Sequence, residues 1–138
     1  MAEPIGVSSG IITLVLVTLK SSQLLYRTVT SFQSSPRVVR SLKEQLEALE
    51  VVLHSLEKTA AETDAKFESL ELPLTRCGKA CQDFNDVIER CVKHSTGNER
   101  SFRDWWKLKY MGEDISGFTR MLEVYKSTIS IALADANM

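Results

Sequence analysis

The chain has 138 residues, 43% of them apolar and 25% charged, a balance that fits one globular domain and excludes a disordered tail. Seventeen basic and eighteen acidic residues leave a net charge of -1, so no overall field recruits nucleic acid. Six glycines and three prolines favour helices over a turn-rich sandwich or barrel, and three cysteines, an odd number, argue against a secreted disulfide framework.

A first helix is expected from about Ile5 to Phe32, with Pro4 in its opening turn. Glu3 is the only charged side chain before Lys20, the reverse of a secretory signal. From Pro4 to Leu19 no residue is charged, a run slightly short of the roughly 18 residues that suggest a membrane span. Ile11, Ile12, Leu14, Val15, Leu16 and Val17 cover every side of this helix, although a bundle needs only one apolar face. Gly6 and Gly10 stand one turn apart within it. Such a pair lets a neighbouring helix approach closely, either in another chain or within the same bundle.

Ser35 and Pro36 read as a cap and first-turn proline for a second helix from about Pro36 to Thr59. Its apolar residues Val39, Leu42, Leu46, Leu49, Leu53 and Leu56 step at the spacing of a bundle-facing stripe. The acidic stretch from Ala60 to Glu71 reads as a long loop or a short frayed helix. A third helix from about Pro73 to Lys93 repeats the stripe with Leu74, Cys77, Cys81, Phe84, Ile88 and Cys91. His94 to Asn98 read as a stop and turn. A last helical region starts near Ser101, with Gly112 and Gly117 placed to bend or divide it. Ile115, Phe118, Leu122, Tyr125, Ile129 and Ala132 carry its stripe. The fold class expected is therefore all-α: an antiparallel bundle of four main helices, the last long or broken near Gly112.

Cys77, Cys81, Cys91 and His94 have ligand-like chemistry, but their helical spacing points the thiols at the core, where free cysteine packs as a small hydrophobe. A zinc site or a regulatory thiol is the alternative to that core packing; no nucleophilic triad or phosphate-cradling loop can be assembled, so neither catalysis nor a cofactor is expected. Arg100, Arg103, Lys107 and Lys109 are interleaved with Trp105 and Trp106, with Asp104 the single acid from Arg100 to Tyr110. Mixed basic and aromatic residues suit a lipid-headgroup or partner surface. Alternatively, one tryptophan anchors the core and the bases are solvated.

Three blocks, MAEPIGVSSGII from Met1 to Ile12, LELPLTRCGKAC from Leu70 to Cys81 and SFRDWWKLKYMG from Ser101 to Gly112, resemble the fungal N-terminal domain of STAND proteins, the HeLo-like group. The resemblance implies a single bundle over residues 1–138, the N-terminal part of a longer protein. It implies relatives in the HeLo domain of heterokaryon incompatibility and in the four-helix domain of mixed-lineage kinase-like necroptosis proteins. Such domains act downstream of NOD-like receptors or amyloid-motif partners, and some permeabilise the plasma membrane. No amyloid motif and no nucleotide-binding region occur in this chain.

On this resemblance the domain is a non-enzymatic cell-death effector, cytoplasmic at rest and moving to the plasma membrane on activation. It would self-associate, meet anionic lipid, and insert through Ile5, Gly6, Gly10, Ile12, Leu14, Leu16 and Leu19. The alternative is a homotypic adaptor bundle that never enters lipid. The discriminating feature is whether the first helix is packed on all sides.

Overall fold

The computed structural model describes residues 6–31, 37–62, 67–94 and 112–136, and four α-helices account for nearly all of them. They are α1 (Gly6–Thr30), α2 (Arg37–Glu62), α3 (Glu71–His94) and α4 (Gly112–Ala136). A 3₁₀ turn, Glu68–Leu70, leads into α3, and no strand occurs among the described residues.

The expected stripes become the core. In α2, Val39, Leu42, Leu46, Leu49, Leu53 and Leu56 are all buried, and Ala60 extends the row by one step. That added burial carries α2 to Glu62, beyond the expected end at Thr59. In α3, Leu74, Cys77, Cys81, Phe84 and Ile88 face inward. In α4, Ile115, Leu122 and Ile129 are buried, with Phe118, Tyr125 and Ala132 packed against the same core. Each fully buried leucine or isoleucine contributes about 1.5–3 kcal/mol relative to an exposed one.

Two boundaries differ from expectation. Where it is described, the stretch from Ala60 to Glu71 takes the short-helix form of the expectation, the 3₁₀ turn Glu68–Leu70, but it is not frayed: Phe67 and Leu70, three residues apart, are both buried, and the Leu70 N–H donates to the Phe67 carbonyl at 2.9 Å. These two side chains pull the connection onto the core and start α3 at Glu71, ahead of Pro73. The proline still falls in the first turn, where its missing N–H removes no helical bond. His94, expected in a turn, ends α3, whereas α4 begins at Gly112, in keeping with a last helical region broken near that glycine, and runs on through Gly117. The segment from Ser101, together with the cap at Ser35 and Pro36, lies outside the described residues.

Side-chain pairs set the helix directions. Gln23 bonds Glu50 and Tyr26 bonds Glu47, so α1 and α2 run antiparallel. Phe84 stacks on Phe118 at 4.4 Å between ring centroids while Tyr125 lies near Cys77 and Cys81, so α3 and α4 are antiparallel as well. α1 packs broadly against both α2 and α3, and α4 packs along α2 and closes against α3 over a narrower seam. All four helices, with Phe67 and Leu70, share one core.

Candidate functional site

α1 is rich in β-branched residues, among them Ile11, Ile12, Thr13, Val15, Val17 and Thr18, which are indifferent helix formers. Its helicity therefore rests on packing rather than on local propensity. Ile11, Val15, Thr18, Leu19, Ser22, Leu25 and Val29 are buried and turn one face toward α2 and α3.

The opposite face is open. Gly10, Thr13, Leu16, Val17, Lys20, Leu24, Arg27 and Ser31 are exposed and fall within one strip at 100° per residue. Leu16, Val17 and Leu24 keep 47%, 54% and 38% of their surface accessible; Val51, Leu72, Val124 and Ile131 are more exposed still, but α1 gathers three such residues on one face. Lys20 and Arg27 are the only charged residues of α1, which contains no acid. The outward face of α2, by contrast, is an ordinary charged one. There His54 lies 3.5 Å from Glu50 and 3.6 Å from Glu57.

Two buried hydroxyls sit on the inner face of α1. The Thr18 hydroxyl donates to its own helix at the Leu14 carbonyl, 2.8 Å away, or across to the Leu74 carbonyl of α3, 3.0 Å away. One proton serves both acceptors. Ser22 donates to Leu19 at 3.0 Å. At the Thr18 crossing the backbones are close: a Cβ on Gly78 would lie 3.2 Å from Thr18 Oγ1 and 3.4 Å from its Cα. Further along, α1 is tied to α2 by the Gln23 amide on Glu50 at 3.0 Å and the Tyr26 hydroxyl on Glu47 at 2.6 Å. The Glu47 carboxylate at the end of that bond raises the Tyr26 phenol above its ordinary proton affinity.

Of the residues expected to act at lipid, Gly10 and Leu16 face outward, Ile12 and Leu14 flank the core half-buried, and Leu19 is buried. Gly6 lies in the first turn of α1, and Ile5 falls outside the described residues, as do Arg100, Arg103, Trp105, Trp106, Lys107 and Lys109. A Cβ on Gly10 would touch nothing within 4 Å, so Gly10 makes no close approach among the described residues, whereas Gly78 does. Sequence reasoning missed it, along with Val17, Lys20, Leu24 and Arg27 on the open strip, because the apolar run over residues 11–17 covers every side of the helix and two charges alone do not mark one face.

Cys77 and Cys81 are free and buried. Their mutual hydrogen bond, followed by burial, pushes the Cys81 thiol well above its usual range, so it stays a neutral, inert core group. Among the described residues no three metal-ligating side chains gather. Asn85 is buried with both amide atoms unpaired, and nothing in the structure explains it. No described helix is long and apolar enough to cross a membrane.

Residues 2–138 match the family described as pigment biosynthesis cluster protein PigL N-terminal. The chain belongs to that family. No curated protein matches it, and no solved structure does. The PigL N-terminal match spans all four helices, so the open strip of α1 and the Thr18 crossing lie inside the family's domain.

Proposed function

We propose that this domain is a non-catalytic, membrane-acting effector module of the HeLo-like kind, cytoplasmic at rest, in which α1 is the working part. Activation self-associates the domain and brings α1 into contact with anionic lipid, in keeping with a role in cell death. The observation that carries this reading is the polar accounting of α1. Thr18 and Ser22, buried against other helices, both have acceptors within α1 itself. When α1 leaves α3, the Thr18 hydroxyl turns to Leu14 and keeps an acceptor, so the uncharged stretch up to Leu19 strands no buried hydroxyl, while Lys20, Gln23, Tyr26 and Arg27 further along stay at the headgroups or in water. On this reading α1 works in company with neighbouring copies, which cover the polar groups of its second half. The resemblance of three sequence blocks to HeLo-like domains supports the same reading, and the upstream receptor or amyloid-motif partner would act through segments outside this chain.

A second reading, the homotypic adaptor, draws on a different observation: the close crossing at Gly78 pins α1 to α3. The family's description speaks of a pigment biosynthesis cluster and favours neither reading.

A reversible lock separates the two. The Gly78 Cβ position lies 3.7 Å from Thr18 Cβ, inside the disulfide range of about 3.5–4.5 Å. With Thr18→Cys and Gly78→Cys introduced where Cys77, Cys81 and Cys91 are alanine, leakage of phosphatidylserine-containing vesicles is followed with the bond open and closed. Leakage by the reduced form that stops on oxidation is expected. Equal leakage from both forms, or none from the wild-type domain, defeats the effector reading.

A further inference from the structure

The open strip of α1 is used before the helix moves. We infer that it docks the intact, resting bundle on an anionic lipid surface, with α1 lying in the plane of the interface; this rests on the membrane-acting reading above and specifies its first contact. Leu16, Val17 and Leu24 form the apolar line, and Lys20 and Arg27 are interspersed on the same side. Long cationic side chains keep their charge at the headgroups while their stems and the apolar neighbours sit lower, the arrangement of an interfacial helix.

Charge selects the occupant. α1 offers two cations and no acid, which complements anionic headgroups. The outward face of α2 mixes Arg40, Glu44, Glu47, Glu50, His54 and Lys58 and has no such bias. An in-plane helix needs only one greasy side, which Leu16, Val17 and Leu24 supply. The inner face is already occupied by α2 and α3, so docking requires no rearrangement of the core.

The test is cosedimentation with phosphatidylcholine vesicles, with and without phosphatidylserine, using the wild-type domain, the oxidised Thr18→Cys/Gly78→Cys lock, and two strip variants. These are Lys20→Glu with Arg27→Glu, and Leu16→Ser with Val17→Ser. All four altered positions are exposed, so both variants should melt as the wild type does, and circular dichroism checks this. Binding selective for phosphatidylserine, retained by the lock and weakened at least about thirtyfold by the charge reversal, is expected. Added salt should weaken it further. Wild-type affinity in either strip variant, or equal binding to both vesicle types, overturns the inference. So does self-association that the strip variants abolish without any vesicle binding, because the strip is then an interface between copies. Binding by the lock without leakage from any form upholds docking while sinking the effector reading. Leakage by the reduced form with no binding by the lock does the opposite.

Discussion

Gly78 and Gly117 both sit inside helices, and their surroundings differ. Around Gly117 a Cβ would meet nothing within 4 Å, whereas at Gly78 it would press on the Thr18 hydroxyl and on the α1 backbone. Glycine in a helix interior costs about 1 kcal/mol relative to alanine. Gly117→Ala is therefore expected to raise stability by about that amount. Gly78→Ala is expected to lower it in spite of the same propensity gain, because the contact at Thr18 Cα is with backbone that must move as a unit. Urea melts of the two variants decide the matter; a matching gain in both would mean that α1 and α3 are not in close register. The chain shows both glycines equally plainly. The partner 60 positions away is what makes one of them structural, and that pairing has no local signature.

At the scale of the element, α1 shows how far periodicity reaches. The stripes of α2, α3 and α4 were legible because polar residues occupy the other faces, so the inward side was marked before folding. α1 is apolar on every side over residues 11–17, and nothing local says which side turns in. Leu24 and Leu25 are adjacent and chemically identical, yet Leu25 is buried completely and Leu24 is exposed. Leu25→Ala should cost about 2–5 kcal/mol and Leu24→Ala less than about 1 kcal/mol in chemical denaturation. Similar losses at the two positions would place α1 in a different rotation about its axis. The expected insertion set divides the same way, with Leu16 outward and Leu19 inward.

For the molecule as described, one core shared by the four helices implies that none of them melts alone under equilibrium denaturation. Leu122→Ala in α4 and Leu46→Ala in α2 should each shift a single transition, with the far-ultraviolet helix signal and the near-ultraviolet tyrosine signal moving together; two separated transitions would show that the narrow α3–α4 seam divides the bundle. Local pattern was enough to determine the helical class, three of the four inward faces and the burial of Cys77 and Cys81, because a 3.6-residue rhythm is written into neighbouring residues. Tertiary structure alone decided the rotation of α1, the pairing of Thr18 with Leu74 and Gly78, the tucking of Phe67 and Leu70 onto the core, and so which apolar residues remain exposed. Those outcomes depend on contacts between residues as much as 60 positions apart, whose energies exist only once the helices have met.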